Sequence, residues 1–382
     1  MTSEEGSFAR ETIQSRKPAI IDRILSIHDY PPGIRSSLLD LHNELTSKPL
    51  RLLMEQTSDK PLWDADLTPW LGKTWLEIPW YLAESYFFRR LLESTAYFQP
   101  GPWMGGDPYR PLKDLEIQDA LPIFEDYYHD NPNAADLNYF QHLCYQALWG
   151  NRGDLSNLDE FDADMSPQSD KILINDSEAA FHYLNQSHLN IAYIFDNTGK
   201  ELFFDLAMID YLLTTGLATS VTGFLKNQPF FVSDSMPLDL EKTLNCLETS
   251  SSPSLRDLSK RLRDAIKSTR LSIKTPPFFT TSHMFREMPP GLKTDLEKHD
   301  LTILKGDVNY RRLFGDRHWH PTTSVEEAAG YFPTSFLSLR TLKAEIILGI
   351  SQKTYDQLRN HAEPDWLTNG KRGLITFFEK QA

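Results

Sequence analysis

Short apolar runs alternate with helical segments through the C-terminal part of the chain, and this alternation constrains the fold more than any other feature. The helical segments include "DSEAAFHYLNQS", "KELFFDLAMIDYLLTTGL" and "MPLDLEKTLNCLE". The strand candidates between and around them are "KILIN", "LNIAYIFD", "SVTGFLK", "PFFVSD", "RLSIKT", "LTILK" and "GLITFFEK". Such alternation predicts an α/β fold in which a mostly parallel sheet carries helices on both faces.

The N-terminal part has a different pattern, because its apolar residues recur at helical intervals and strand candidates are missing. "PAIIDRILSIHDYPPGIRSSLLDLHNELTS" and "WYLAESYFFRRLLESTAYF" are the longest helical stretches. The tryptophans between and within them are typical of a packed helical core. The acidic, turn-rich stretch "GNRGDLSNLDEFDADMSPQSD" then indicates a linker or surface loop. We therefore expect a helical N-terminal domain over residues 1–150 and an α/β core over residues 151–382.

Composition and charge exclude several classes of partner. The formal net charge is -14, which argues against nucleic acid or an anionic membrane as the partner because both would be repelled. A small anionic substrate stays compatible, since cations in a cleft outweigh a distant field. Cys144 and Cys246 are too far apart for a metal motif. The polar start and the lack of an apolar run of ~20 residues predict a cytoplasmic protein.

Polar residues follow three of the predicted strands. Asp196 and Asn197 end "IAYIF", Asp234 ends "FFVS", and Asp307 follows "LTILKG" with Asn309 close behind. Parallel strands bring such ends to one edge of a sheet, where ligands bind. Two carboxylates and an amide oxygen form a hard ligand set that suits Mg²⁺ or Mn²⁺. These residues therefore indicate a metal site with open positions for a substrate oxygen.

Each part of this set also has a structural explanation. Asp-Asn-x-Gly after a strand is an ordinary turn sequence. Asp234 with Ser235 is equally suited to begin a helix as an N-cap. The metal interpretation gains weight only if these side chains meet at one edge of the sheet.

Basic residues further along the chain suit a phosphoryl group. Lys305 and Arg311 lie in "KGDVNYR", and Arg340, Thr341 and Lys343 lie in "LRTLK". Cations beside a divalent metal neutralise the charge of a phosphate. If "SLRTLKAEI" opens a helix, the amides of its first turn add a further anion site.

Other catalytic patterns are absent or incomplete in the sequence. It contains no phosphate loop, no Gly-x-Gly-x-x-Gly fingerprint and no Gly-x-Ser-x-Gly elbow. His318 and His320 would lie on one side of a strand, but nothing with suitable spacing completes a zinc site, so a structural role is favoured. Haloacid-dehalogenase phosphatases need a second aspartate two residues after the first, and that position is Thr198.

The segments "DNTGKEL", "FVSD", "KGDVNYRRLFGDRHW" and "LRTLK" resemble the damage-control phosphatase family. The Arg-Thr-x-Lys signature at Arg340–Lys343 is similar to that of its subfamily III, as are "WLEIPWYLAESYFFRRLL" and "LWGNRGDLS". The resemblance implies a helical N-terminal domain on a Rossmann-like α/β/α core. It also implies a divalent metal cofactor, which among family members is manganese, nickel, cobalt or magnesium.

The resemblance further implies roles for individual residues. The metal ligands would be Asp196, Asn197 and Asp234, which with Lys343 would form the catalytic set. The substrate would contact the residues that match the family's other motifs, namely Glu201, Asp307, Asn309, Tyr310, Arg311, Arg340, Thr341 and Lys343. Thr198, Lys200 and the segment "TPPFFTTSHMFREMPP" depart from the family pattern, which bears on substrate choice.

The expected function is metal-dependent hydrolysis of small phosphometabolites, in particular sugar phosphates such as fructose 1-phosphate or fructose 6-phosphate. One alternative is S-adenosylmethionine-dependent methylation of protein glutamate carboxyl groups, an activity with which the branch has also been associated. The sequence offers no glycine-rich cofactor loop for it. The other alternative is a sugar-phosphate-binding protein without catalysis.

Overall fold

A seven-stranded sheet forms the centre of the C-terminal part of the chain. The computed structural model describes residues 7–132, 134–150, 171–186, 188–361 and 364–381, so the predicted linker over 151–170 lies outside the described residues. The strands are β1 (Ile172–Asn175), β2 (Leu189–Ile194), β3 (Ala218–Phe224), β4 (Leu271–Lys274), β5 (Leu301–Lys305), β6 (Ser335–Thr341) and β7 (Gly373–Phe378).

The strand order is β1-β7-β6-β5-β2-β3-β4, and every pairing is parallel except that of β6 with β7. The predicted α/β fold with a mostly parallel sheet is therefore confirmed. From β2 the chain continues to β3 on one side, whereas from the adjacent β5 it continues to β6 on the other side. This reversal is a topological switch point, where doubly wound sheets leave a crevice for ligands.

Helices precede β1 and lie between and after the strands along the chain. After two short helical turns, Phe8–Glu11 (α1) and the π-helical Thr12–Arg16, the longer helices follow. They are α2 (Lys17–Ile27), α3 (Pro32–Ser47), α4 (Lys60–Leu67), α5 (Trp80–Ser94), α6 (Arg110–Tyr127), α7 (Leu137–Trp149), α8 (Ser177–Leu184), α9 (Lys200–Thr214), α10 (Pro237–Glu248), α11 (Pro253–Lys267), α12 (Pro290–Leu296), α13 (Gly306–Phe314), α14 (Val325–Ala329) and α15 (Gln352–His361). Within the described residues, each helix is too short or too polar to span a lipid bilayer.

Side chains of one strand alternate between two hydrophobic cores, as the period of two requires. In β2, Ile191 and Tyr193 pack with helices α7, α9 and α11 on one face. Ala192 and Ile194 face the opposite core, to which α13 and α14 contribute. Because both faces are buried, the central strands are apolar almost throughout. Polar residues replace the apolar ones at the carboxyl ends of these strands, as Asp196 and Asn197 do after β2.

Packing divides the chain into two compact units. The first contains the residues up to Asp114 with Gln228–Ser233 and Thr280–Ser282, and its helices surround a core that includes Trp63, Trp75 and Tyr86. The second contains Leu115–Asn227, Asp234–Phe279 and His283–Ala382. The predicted helical domain over 1–150 ends later than the first unit, because Phe124 and Phe140 of α6 and α7 belong to a core of the sheet.

Three local predictions were wrong. "PFFVSD" is not a strand, because Phe231 and Val232 have φ angles of 45° and 63° and so turn the chain out of the extended conformation. "SLRTLKAEI" does not open a helix, because β6 continues to Thr341 with all seven residues buried. His318 and His320 lie in a loop instead of a strand.

Candidate active site

The carboxyl end of β2 carries the first two predicted ligands. Asp196 and Asn197 follow the strand directly, and Gly199, with φ 69°, turns the chain into α9. The backbone of Asn197 forms an antiparallel bridge with Asp234, and the amide of Ser235 donates to the carbonyl of Asp196 at 2.8 Å. The bridge brings Asp234 to the end of β2 although no strand precedes it. Helix α10 begins at Pro237 behind Met236, so Asp234 is not its N-cap.

The carboxylate of Asp196 lies in a closely fitted pocket. Its Oδ2 accepts a hydrogen bond from Asn197 Nδ2 at 2.9 Å, whereas no described residue donates to its buried Oδ1. A Cβ on Gly306, at the start of α13, would lie 1.8 Å from Oδ2. Gly306 also has a φ of 80°, which favours glycine. The β5–α13 turn therefore lies so close to Asp196 that a side chain at position 306 would not fit.

Two buried lysines flank these ligands. Lys226 follows β3, and its Nζ lies 3.2 Å from Asp234 Oδ2 and 3.3 Å from the carbonyl of Phe195. Lys305 ends β5 and lies 2.9 Å from Glu201 Oε1 and 2.7 Å from Asp205 Oδ1. Lys226 and Asp205 were not predicted as site residues, because neither belongs to a motif. The signals that could have indicated them are the position of Lys226 just after a strand and the position of Asp205 on the buried face of a helix.

Burial and repulsion between acids set the protonation of this cluster. Burial, with the charges of Glu201 and Asp234, raises the pKa of Asp196 well above its ordinary value, although Lys226 and Lys305 oppose the shift. Burial also raises the pKa of Asp205 to about 7, against the opposing effect of Lys305. In the absence of additional positive charge, the cluster therefore tends to retain protons at neutral pH.

A second group of predicted residues lies around Asp307 in the first turn of α13. Arg340 Nε donates to Asp307 Oδ1 at 2.7 Å, and Arg311 lies 3.5 Å from Oδ2 while also pairing with Asp316. Burial alone would raise the pKa of Asp307, but Arg340 and Arg311, with a contribution from Lys343, hold it below its ordinary value. Asp307 is therefore an ionised acceptor with a fixed orientation.

Arg340 organises the loop after β6. Its guanidinium donates to the carbonyls of Ile346 and Ala344 and stacks on the ring of Tyr310 at 4.2 Å. The Tyr310 hydroxyl in turn accepts from the amide of Leu348 at 3.3 Å. Because Arg340 is almost completely buried and bonded within the protein, this geometry favours a positioning role over direct contact with substrate.

Thr341 and Lys343 lie at the carboxyl end of the same strand. Thr341 is the last residue of β6 and is buried, and the half-buried Lys343 follows two residues later. The predicted anion site at a helix start is wrong here, because β6 leads into a loop. Lys343 itself stays the predicted phosphate contact.

Asn309 links the two strands of the switch point. Its Nδ2 donates to the carbonyl of Lys305 at 2.8 Å and of Phe195 at 3.3 Å. Its Oδ1 is buried and accepts no hydrogen bond from the described residues, and a buried acceptor of this kind calls for a ligand or water. The structure thus brings the predicted residues of β2, β5 and β6 together along one edge of the sheet.

The donor chemistry fits a hard divalent cation. Asp196, Asn197 and Asp234 offer oxygen atoms, and Asp196 Oδ1 has no donor among the residues that the structure describes, so these three residues would hold the ion. No group of three or more histidine, cysteine, aspartate or glutamate side chains in the described ranges forms a metal site without the amide. The metal set therefore depends on Asn197 and stays a prediction.

The protein is an α/β protein with a mostly parallel, doubly wound sheet. A buried acidic cluster lies at the switch point of this sheet. Residues 12–358 match the family model for the damage-control phosphatase ARMT1-like domain. The chain therefore belongs to the ARMT1-like damage-control phosphatase family, and the resemblance seen in its motifs is confirmed. Family membership supports a phosphatase as the enzyme class.

Individual relatives agree with this assignment. The chain is 30% identical to the damage-control phosphatase ARMT1 of Danio rerio over 98% of this chain and 95% of the relative. It is 30% identical to the human ARMT1 over 97% and 96%. A crystal structure of a DUF89 family protein from Pyrococcus horikoshii matches with a TM-score of 0.50 and 15% identity, covering 96% of this chain and 97% of that one. The last likeness concerns the fold alone.

Proposed function

We propose that the chain is a metal-dependent phosphomonoesterase that hydrolyses small sugar phosphates, with fructose 1-phosphate and fructose 6-phosphate as the first candidates. Manganese, nickel, cobalt or magnesium would serve as the cofactor. Damaged metabolites are the substrate class that family membership supports. The proposal extends this class to a particular chemistry and substrate type.

The main support for a bound divalent metal is the net negative charge of the buried cluster at the switch point. Four carboxylates and two ammonium groups, each 3% exposed or less, lie together at the switch point: Asp196, Glu201, Asp205, Asp234, Lys226 and Lys305. With all groups ionised, two negative charges stay uncompensated. Uncompensated charge in a protein interior is strongly unfavourable, and a divalent cation would neutralise it.

The remaining residues have complementary roles towards a phosphate ester. A bound divalent ion supplies Lewis acidity and charge neutralisation beside the phosphoryl group. Lys343 and Arg311 stabilise negative charge on that group. Asp307, held in place by Arg340, accepts hydrogen bonds from substrate hydroxyl groups, and Asn309 offers its buried Oδ1 as a further acceptor. These acceptors distinguish a polyhydroxylated substrate from an apolar one.

The test is phosphate release from a panel of sugar phosphates with Mn²⁺, Mg²⁺, Ni²⁺, Co²⁺ or chelator. We expect release that depends on the metal and prefers a ketose phosphate. Asp234→Ala is expected to abolish turnover and metal binding, whereas Lys343→Ala retains metal binding and weakens phosphate binding. Asp300→Ala is the matched control, because Asp300 accepts a hydrogen bond from the amide of Asn190 at the opposite end of β2.

Other outcomes would contradict the proposal in different ways. Metal binding without release from any member of the panel would favour the binding protein. Micromolar binding of S-adenosylmethionine in equilibrium dialysis would favour the methyltransferase. A normal metal isotherm for Asp234→Ala would remove Asp234 from the ligand set.

A further inference from the structure

Lys305 is the centre of a buried network that lies behind the predicted metal ligands. Its Nζ donates to Glu201 Oε1 at 2.9 Å, bonds Asp205 Oδ1 at 2.7 Å and donates to the carbonyl of Ala147 in α7 at 2.6 Å. The Tyr193 hydroxyl donates to the same Asp205 oxygen at 2.8 Å. An ammonium group has three protons, and each of them has an acceptor here. Lys305 is also completely buried, so it has no proton left for a substrate phosphate.

The network reaches the metal site through Glu201. One oxygen of Glu201 accepts from Lys305, and the other accepts from Asn197 Nδ2 at 3.1 Å. The same Nδ2 also donates to Asp196 Oδ2 at 2.9 Å. A side-chain amide carries its donors on nitrogen and its acceptor on oxygen. With the nitrogen held by two carboxylates, Oδ1 of Asn197 is directed away from them, as a metal ligand requires.

The position of Glu201 in turn depends on Lys305. Glu201 lies in the first turn of α9 and is 2% exposed, so water does not compensate its charge. Lys305 Nζ donates to Glu201 Oε1, so removal of the ammonium group leaves this oxygen without that hydrogen bond and allows the carboxylate to move. The Asn197 amide would then lose one of the two acceptors that hold its nitrogen. Asp205 and Tyr193 hold the ammonium group in place from the other side.

We infer that Lys305 is a positioning residue: by holding the carboxylate of Glu201 in place, it sets the amide of Asn197 in the orientation that binds the metal. This inference rests on the proposed function, because it assumes that Asn197 is a ligand. It assigns Lys305 to the metal site and not to the phosphate, where the motif analysis placed it. It also makes Glu201 a residue that orients a ligand and does not contact substrate.

A double-mutant cycle on Mn²⁺ affinity tests the inference. Calorimetry would compare the wild type with Lys305→Met, Glu201→Gln and the double variant, each freed of metal by chelator. Residues that orient a metal ligand typically contribute about 10- to 100-fold to metal affinity, and we expect a loss in this range for Lys305→Met. Because both residues act through one interaction, the double variant is expected to lose little more than either single variant.

The matched control is Lys113→Met, which removes another buried lysine with a carboxylate partner, Asp107, at 3.2 Å. This variant is expected to keep wild-type affinity for Mn²⁺. The electron paramagnetic resonance spectrum of bound Mn²⁺ gives a second readout, since it reports the ligand geometry and not the stability of the fold. We expect an altered spectrum for Lys305→Met and an unchanged one for Lys113→Met.

Three results would overturn the inference while leaving the phosphatase proposal intact. They are wild-type Mn²⁺ affinity in a folded Lys305→Met, losses that add in the double variant, and an unchanged Mn²⁺ spectrum. If Lys305→Met does not fold, Lys305→Gln replaces it in the same cycle, because its amide keeps one hydrogen-bond donor without the charge. A wild-type protein that binds none of the four metals would instead refute the proposed function itself.

Discussion

Gly306 makes the sharpest prediction at the scale of a single residue. In Gly306→Ala the new Cβ would lie 1.8 Å from Asp196 Oδ2, so either the β5–α13 turn or the carboxylate must move. We expect the variant to fold but to lose metal binding by at least about 10-fold, since a ligand displaced by this much no longer reaches the ion. Isothermal titration with Mn²⁺ measures the loss.

The control for this prediction is Gly216→Ala. Gly216 has a similar φ of 77°, but its Cβ would meet its nearest neighbour, His188, at an ordinary 3.7 Å. Both variants therefore carry the same backbone strain of about 1 kcal/mol, and only one of them disturbs Asp196. Equal metal affinities in the two variants would show that the close approach at Gly306 is not required.

Sequence motifs predicted some of the residues at the site and not others. The position of Asp196 and Asn197 at the end of β2 was predictable, because the pair directly follows an apolar run. Their role as metal ligands stays a prediction. Lys226 and Asp205 were not predictable, because their importance depends on which side chains the fold places beside them. Arg340 belongs to a recognisable motif, yet its bonds to Asp307 and two carbonyls are a property of the loop after β6.

At the scale of elements, Arg340 couples β6 to α13 through Asp307. Replacing it in Arg340→Met leaves Asp307 without its closest cation and frees the loop that carries Lys343. A hydrogen bond to a charged group contributes about 1.5–3 kcal/mol, so we expect KM for the sugar phosphate to rise about 10-fold or more. Metal affinity is expected to change little. Steady-state kinetics at saturating Mn²⁺ measures the effect.

Arg89→Met is the corresponding control, because Arg89 is equally buried but pairs with Asp59 in the first compact unit. It is expected to reduce stability without raising KM. A rise in KM of the same size in both variants would indicate a general loss of structure and not a specific role of Arg340.

Helix α7 contains a histidine that makes stability depend on pH. Burial lowers the pKa of His142 from 6.5 to about 4, with a further contribution from His129. The unfolded chain therefore takes up a proton at this residue below pH 6.5, whereas the folded protein does so only near pH 4. Folding stability is lost as the pH falls through this window, by at most roughly 3 kcal/mol.

The variant His142→Gln should lack this part of the acid sensitivity. Urea denaturation between pH 7 and pH 4 would give the difference in the free energy of unfolding between wild type and variant, which we expect to shrink as the pH falls. His182→Gln, at an exposed position of α8, is expected to follow the wild type. A constant difference over the window would contradict a role for His142.

The elements themselves were predictable where the apolar pattern had one interpretation. Strands β1 to β5 and β7 and the helices that follow the early strands agree with the pattern. "PFFVSD" failed because its apolar residues serve another core: Phe230 and Phe231 contact Phe88 within the first compact unit. An apolar run indicates that its residues are buried, but it does not indicate which of the hydrophobic cores they join.

At the scale of the whole molecule, the buried negative charge at the switch point makes the stability of the folded protein depend on pH and on metal. The pKa of Asp196 is raised in the folded protein, so the folded state binds more protons than the unfolded chain above pH 4, and stability falls as the pH rises. At pH 8 without metal, Asp196 therefore destabilises the fold.

Asp196→Asn should therefore be more stable than the wild type in chelator, because the amide cannot ionise. Saturating Mn²⁺ reverses this order, since binding at 100 times Kd stabilises the wild type by about 2.7 kcal/mol, whereas the variant has a neutral amide in place of the carboxylate and binds Mn²⁺ more weakly. Thermal unfolding at pH 8, with chelator and with Mn²⁺, measures both states. Asp300→Asn should respond to Mn²⁺ as the wild type does. If Asp196→Asn were less stable than the wild type in both conditions, Asp196 would be a structural hydrogen-bond acceptor, and the uncompensated charge would not account for a metal at this site.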